Sequence, residues 1–286
     1  NTYYSPNRVA NGNFSQIGNE EVTNGDFSQE GSELAPASDF DDTGNFIIAP
    51  SSGTVSQSNG TITFDNATST GAQVQLKNRS ISTGKFYKIQ FTVSNYSSGI
   101  FRMSVGNQTT DSVNANGTYT FYVEYEDGLA RNYFYSSGST LTVSNVSVKE
   151  VGQGFIFGDG WGMGDGIATC DGTQSSVSYL LQNLVLPTPN QYLVTFEVSN
   201  YASGNVKFGF SSSTSSPFGT SRTANGVYTE TFTHDSNTIA LRFRASDDFV
   251  GDIDNITIKE VGQHWTIGTG WSTDGTKASY DDVTTN

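Results

Sequence analysis

Charge, sulfur and helix-forming side chains are all scarce in this chain. Only 15% of its 286 residues are charged, against roughly a quarter in an average globular protein. A helical bundle fills its faces with Glu, Lys, Arg, Leu and Ala, so this composition argues against bundles and against doubly wound α/β folds. A single cysteine, Cys170, permits no intrachain disulfide, and two histidines, His234 and His264, leave little for metal or nucleophile chemistry. Basic residues are few as well: 14 Lys and Arg against 28 Asp and Glu, a formal net charge of −14 at pH 7. That sign disfavours phosphate backbones and anionic membrane surfaces, which excludes nucleic acid as a partner. No apolar run approaches the ~18 residues of a membrane span, so no membrane insertion is expected. The sequence opens Asn-Thr-Tyr-Tyr, without an initiator Met or a signal peptide. The expectation is a soluble chain that is a processed or partial product.

What the chain does contain is glycine (31), tyrosine (14) and phenylalanine (19) amid abundant Ser, Thr and Asn, a composition suited to strands and turns. Its clearest feature is internal repetition. Phe91-Thr-Val-Ser-Asn-Tyr96 returns as Phe196-Glu-Val-Ser-Asn-Tyr201, 105 residues on. Ala115-Asn-Gly-Thr-Tyr-Thr120 returns as Ala224-Asn-Gly-Val-Tyr-Thr229 at an offset of 109. Asn145-Val-Ser-Val-Lys-Glu-Val-Gly-Gln153 returns as Asn255-Ile-Thr-Ile-Lys-Glu-Val-Gly-Gln263 at 110. Three landmarks in one order at nearly one offset define duplicated modules, and a period of this length fits whole domains in tandem rather than a solenoid. A third copy begins with His264-Trp-Thr-Ile-Gly-Thr-Gly-Trp271, matching Gly154-Phe-Ile-Phe-Gly-Asp-Gly-Trp161. Near the N-terminus Asn11-Gly-Asn-Phe-Ser-Gln16 recurs thirteen positions later as Asn24-Gly-Asp-Phe-Ser-Gln29. One of these is expected to open the first sandwich, the other to continue an upstream module or belong to an interface. The organisation predicted is an N-terminal extension with an opening strand (1–39), repeat 1 (40–153), repeat 2 (154–263) and the start of a truncated third repeat (264–286).

Within each copy the apolar pattern has a period of two. Tyr87, Ile89, Phe91 and Val93 alternate with polar residues, as do Tyr192, Val194, Phe196 and Val198, then Val206, Phe208 and Phe210, then Ile239, Leu241 and Phe243. Strict alternation marks half-buried strands, and Gly, Ser and Asn punctuate every run. About eight strands per copy predict an all-β chain of tandem antiparallel β-sandwich (jelly-roll) modules.

Catalytic constellations are missing. Cys170 and His234 lie in different parts of the second repeat and have no counterparts in the first, which fits a small core-facing thiol and an exposed turn histidine. Asp39, Asp41, Asp42, Asp247, Asp248, Asp252 and Asp254 could in principle include an acid and a base for glycoside hydrolysis. The Asp247–Asp254 group, however, aligns with Ser137–Ser144 in the first copy, so no duplicated pair exists. The chain is therefore expected not to be an enzyme. Asp/Asn/Gly-rich sandwich edges do supply the oxygen ligands that a hard cation such as calcium wants.

The opening Asn-Gly-Asp-Phe, the later Gly-Trp, the Gly-Asp-Gly turn and the closing Ile-Asp-Asn-Ile-Thr-Ile resemble the carbohydrate-binding modules of the family 4/9/22 type, with a galactose-binding-like jelly roll. The tandem linkage through Lys-Glu-Val-Gly-Gln is similar to repeated modules in bacteriophage tail-fibre and virion surface proteins. The resemblance implies a structural calcium where the opening segment meets the final strand, which points to Asn24, Asp26 and Asp254. It also implies glycan contact. Aromatic rings stack on sugar faces while amides, carboxylates and Arg bond the hydroxyls, and the candidates are Tyr133, Tyr135, Arg242, Arg244, Trp161 and Trp271. The two tryptophans occupy equivalent Gly-Trp positions, so a core role stays open beside a platform role. The function expected is a non-catalytic virion or cell-surface protein, extracellular or on a virion, contacting glycans. Alternatives are a purely structural fibre, shell or filament unit and an accessory module of a secreted polysaccharide-degrading enzyme. Residues 264–286 would either continue into a full module or complete a sheet in a neighbouring subunit, which makes a homo-oligomer or larger assembly the expected state.

Overall fold

A computed structural model describes residues 9–35, 46–49, 54–67, 73–76, 81–106, 108–126, 132–187, 190–212, 218–234 and 238–281. Every regular element among them is a strand and every pairing is antiparallel. No helix among the described residues is long and apolar enough to cross a membrane. The chain is all-β, as its alternation predicts, and divides into two compact units. One comprises residues 28–153 with 163–166, the other residues 1–27, 154–162 and 167–286.

The first unit carries β1 (Phe46–Ala49), β2 (Thr54–Ser58), β3 (Thr61–Ala67), β4 (Gln73–Leu76), β5 (Phe86–Val105), β6 (Gln108–Thr109), β7 (Gly117–Glu124) and β8 (Asn132–Val151). β5 and β8 are 20 residues each and pair along their whole length. A straight strand would hold Phe91 and Phe101 roughly 33 Å apart at about 3.3 Å per residue, yet their rings are 5.4 Å apart. The two strands therefore bend sharply and each contributes to both layers around one core. The bend falls at the register shifts near Ser98 and Ile100. There Gly99, with φ +82, lies so close to the other strand that a Cβ would sit 2.5 Å from the Gly138 carbonyl oxygen, so only glycine fits. Phe64, Phe91, Phe101 and Phe134 fill the space between the layers.

The second unit carries β9 (Phe155–Phe157), the start of β10 (Trp161–Gly164, of which residues 163–164 count with the first unit), β11 (Ile167–Asp171), β12 (Ser178–Asn183), β13 (Asn190–Ser203), β14 (Val206–Ser212), β15 (Gly226–His234), β16 (Thr238–Ala245), β17 (Val250–Val261), β18 (Trp271–Thr273) and β19 (Ala278–Tyr280). A five-stranded sheet in the order β10-β11-β17-β13-β15 faces a four-stranded sheet, β14-β16-β12-β9, and β18-β19 form a separate hairpin. Phe196 of the larger sheet meets Phe243 and Phe208 of the smaller at 5.0 and 6.2 Å between ring centroids. Phe91 pairs with Tyr119, and Phe196 pairs with Tyr228. These two phenylalanines are structurally equivalent, as their offset predicts.

The repeated landmarks turn out to be the places where the backbone departs from a regular strand. Asn145 and Asn255 have φ 51 and 52 at the bulges of β8 and β17, and Asn tolerates this left-handed conformation because its amide can bond locally. Tyr96 and Tyr201 direct their hydroxyls to the carbonyls of Gly99 and Gly204, at 2.9 and 3.0 Å. Their amides are held by Asn116 and Asn225, each 2.8 Å away. The Ser-Asn-Tyr motif thus fastens the backbone at the bend of β5 and at the end of β13.

The N-terminal segment is not a separate extension. Residues 9–27 belong to the second unit and 28–35 to the first. One of the two copies is expected to open the first sandwich; in the Asn24-Gly-Asp-Phe27 copy, Phe27 is instead buried in the second, 4.6 Å from Phe155, and Gly25 accepts a hydrogen bond from the Ile256 amide of β17 at 2.9 Å. The reason is an open edge. Beyond its bulge, β17 is bonded to β13 on one side, and its other side is covered by the preceding residues. Gly18 and Glu21 donate to the Glu260 and Ile258 carbonyls at 2.8 and 3.0 Å, while the Glu20 carboxylate accepts from the Ile258 amide at 2.7 Å. In the first unit the second thirteen-residue copy does the same on β8. Gly31 and Leu34 donate to Glu150 and Val148, each at 2.8 Å, and Glu33 accepts from the Val148 amide at 2.8 Å. A glutamate side chain stands in for the missing strand carbonyl in both. The other end of the first copy closes on residues past β17: Phe14 lies 5.1 Å from Trp265, whose indole donates to the Asn11 carbonyl.

Hydrogen bonds to a charged acceptor contribute about 1.5–3 kcal/mol, so Glu20→Ala and Glu33→Ala are each expected to destabilise one sandwich by about that amount. All three tryptophans (Trp161, Trp265, Trp271) belong to the second unit. Tryptophan fluorescence during urea unfolding should therefore shift for Glu20→Ala and stay in place for Glu33→Ala, while far-UV circular dichroism detects both. In the first unit Glu30 binds Lys149 and Lys88 at 2.8 and 2.7 Å, and these two bonds hold its carboxyl below the ordinary carboxylate range. A depressed folded-state value means that the stabilisation is present above the unfolded carboxyl's range and is lost as pH falls through the folded one. Glu30→Gln should lower the urea midpoint at pH 7, and the gap from the parent should close in acid.

Candidate functional site

The residues with catalytic chemistry are engaged in the scaffold. Cys170 is fully buried on β11, and burial pushes its thiol up to about 11, so at neutral pH it is not a thiolate nucleophile. His234 is buried at the end of β15, its ring 5.8 Å from Phe210 and 6.3 Å from Tyr192. The expectation of an exposed turn histidine is corrected by this aromatic packing. Among the late aspartates, Asp252 is buried and accepts from Asn200 at 2.6 Å, and Asp248 accepts from Ser246 at 2.7 Å. Asp39, Asp41 and Asp42 lie outside the described residues.

The calcium candidates Asn24, Asp26 and Asp254 lie near one another. Gly25 bonds to Ile256, which carries Asn24 and Asp26 to the same edge as Asp254. Burial raises the Asp254 carboxyl, with Glu197 and Asp26 adding to the shift. No three His, Cys, Asp or Glu residues are grouped to hold a metal ion among the described residues. Calcium takes 6–8 oxygens and carboxylates supply its strongest ligands, so this set does not fit such a cage.

The six glycan candidates separate into three groups. Trp161 is 4% exposed and its ring lies 6.1 Å from Phe249. It is a core residue of the second sandwich and offers no face to a sugar, which corrects its place among the platforms. Trp271, at the equivalent position of the third copy, is 49% exposed beside Tyr280, with ring centroids 5.3 Å apart. The difference follows from cover: Trp161 lies under a complete sandwich, whereas Trp271 lies on a two-stranded hairpin. That hairpin is fixed to β13 through Gln191, which donates to the Trp271 carbonyl at 3.1 Å and accepts from the Thr273 amide at 2.9 Å.

The remaining four occupy the outward face of one sheet in each unit. On β16 the buried Leu241, Phe243 and Ala245 alternate with half-buried Arg242 and Arg244, because successive side chains of a strand point to opposite faces. Lys207 of β14 and Tyr179 of β12 flank Arg244 in register, and Gly209 and Leu181 flank Arg242. The Arg242 guanidinium lies 4.3 Å from the Phe218 ring and 5.6 Å from Tyr179, with Arg244 5.8 Å from Phe218. Burial holds the Arg242 pKa below its ordinary value; Tyr179 opposes this shift, and the like charge of Arg244 adds to it. In the first unit Tyr135 and Tyr133 pair with Arg102 and Ser104 as Arg244 and Arg242 pair with Lys207 and Gly209. The pairs Tyr133/Tyr135 and Arg242/Arg244 are therefore equivalent positions. Arg102 covers one face of Tyr135 at 4.4 Å, so that tyrosine presents a guanidinium rather than a bare ring. Sequence reasoning missed Arg102, Lys207, Tyr179 and Phe218. The alternation Val206-Lys207-Phe208 carried the signal for Lys207.

No family model matches the chain, and no curated protein matches it. Among solved structures, it is similar to the N-terminal CBM22-1–CBM22-2 tandem domain of Xyn10C from Paenibacillus barcinonensis. That likeness is 10% in identity with a TM-score of 0.30, covering 86% of this chain and 98% of that one. It is also similar to a triple jelly roll protein of an archaeal virus turret assembly, at 16% identity and a TM-score of 0.23, over 80% of this chain and 63% of that one.

Cys170 provides a direct check on the buried scaffold. Iodoacetamide at pH 8 should leave it unmodified in the folded chain and label it as urea unfolds the second unit. Rapid labelling without denaturant would show an accessible thiolate.

Proposed function

We propose that the chain is a non-catalytic surface protein, extracellular or on a virion, whose sandwiches contact glycans. The contact surface is the outward face of β14-β16-β12-β9 in the second unit, with Tyr133, Tyr135 and Arg102 as its counterpart in the first. The observation that carries this reading is the group formed by Arg242, Arg244, Tyr179 and Phe218: planar guanidinium and aromatic side chains fixed against one another on one sheet face. Such groups match sugars in two ways. Guanidinium forks donate to oxygens in a fixed geometry, and ring faces and edges cover C–H surfaces. The same atoms contribute little to the core, since they face away from it. A glycan panel probed with the purified chain should give selective binding that falls about tenfold or more in Arg242→Ala, equivalent to loss of one charge-assisted hydrogen bond. A panel without binding to any glycan would refute the reading.

A second reading, an assembly unit of a fibre or shell, is favoured by Trp271 and Tyr280, which are 49% and 55% exposed next to one another. Exposed aromatic pairs favour association. If they join copies of the chain, light scattering will give an oligomer that becomes a monomer in the Trp271→Ser, Tyr280→Ser double variant. A monomer before and after the substitutions would remove this reading.

A further inference from the structure

The charge on the β14-β16-β12-β9 sheet runs against the charge of the whole protein. Its four strands, Val206–Ser212, Thr238–Ala245, Ser178–Asn183 and Phe155–Phe157, contain Lys207, Arg242 and Arg244 and no Asp or Glu. The chain as a whole has 28 acids and 14 bases. Lys207 and Arg244 are direct cross-strand partners, and Arg242 stands two residues from Arg244 on the same face. Like charges opposite one another on a sheet are destabilising, so folding does not explain the grouping. Tyr179 and Phe218 hold the Arg242 guanidinium plane in place, while burial and the neighbouring Arg244 disfavour its charged form. Three cations on neighbouring positions, two of them with oriented forks, form a receptor for repeated anionic groups a few ångströms apart. Arg binds carboxylate and sulfate oxygens bidentately, and Lys acts as a point charge beside it.

We propose that this face binds an anionic polysaccharide, one bearing carboxylate or sulfate groups along its chain. The inference rests on the glycan-contacting reading above and narrows its ligand class. Neutral sugars carry no group of opposite charge for this cluster of cations. The first unit, with two tyrosines and one arginine at the equivalent positions, is not part of this anionic site.

The test is affinity electrophoresis of the full chain through gels containing polygalacturonate, dextran sulfate or neutral dextran, at low and high NaCl. Retardation by polygalacturonate or dextran sulfate, lost at high salt and weakened about tenfold in Arg244→Ala, is the expected result. The polymer that retards the chain more strongly identifies carboxylate or sulfate as the ligand group. Lys207→Ala is a second variant on the same face, and it should weaken retardation as well. Unfolding midpoints of each variant separate lost binding from lost structure. Retardation by a neutral glycan with no effect of salt would overturn the anionic proposal and leave the glycan reading intact. Equal retention by a single-stranded oligonucleotide would overturn it in favour of general anion capture, and no retardation by any polymer would overturn both.

Discussion

The structure depends on one backbone constraint: the closing strand of each sandwich has an outer edge that its own module does not cover. Unpaired amides and carbonyls on an open sheet edge invite pairing with other chains, and burying them without partners is costly. Here the partners come from far away in the sequence. Residues 18–25 serve β17, more than 230 positions later, and residues 31–34 serve β8. In both cases a glutamate reaches in where an irregular backbone cannot supply a carbonyl. Two short acidic peptides thereby complete two large sandwiches, and some of the chain's excess acid has a specific structural use.

With that edge closed, the rest follows from alternation. Period-two strands put aromatic residues inward, and Phe91, Phe101 and Phe134 in one unit or Phe196, Phe208 and Phe243 in the other lock the layers together. The outward positions of the same strands are then free to vary between copies, and they do. Tyr133 and Tyr135 in the first module stand where Arg242 and Arg244 stand in the second. One scaffold presents two surfaces of different charge.

Much of this was legible in the sequence. Alternation at Tyr87–Val93 and Tyr192–Val198 specified strands, and the common offset of the landmarks specified duplicated β-sandwich modules. The assignment of Asn24-Gly-Asp-Phe27 was not legible in the same way, because sequence proximity points to the first module while the open edge and Phe155 lie in the second. A signal did exist. The thirteen-residue offset extends beyond the phenylalanines to Gly18 and Gly31 and to Glu20 and Glu33, and a glutamate kept in register within a loop-like segment calls for a backbone partner. Phe40 continues the series at the same spacing. At the candidate site, alternation gave the facing of Arg242 and Arg244. Trp161 and Trp271 could not be told apart by sequence because their neighbours match and only the number of strands covering them differs. The cation–aromatic group with Phe218 was hidden because it joins residues from separate strands.

Native-state hydrogen exchange at the Val148 and Ile258 amides tests the edge-closing role of the N-terminal residues most directly. Glutamate carboxylates are their acceptors, so in Glu33→Ala the Val148 amide, and in Glu20→Ala the Ile258 amide, should exchange orders of magnitude faster while amides bonded between β5 and β7 or between β13 and β15 keep their protection. Unchanged protection at Val148 and Ile258 in these variants would contradict the account, because the closing strands would then be held without the N-terminal segment.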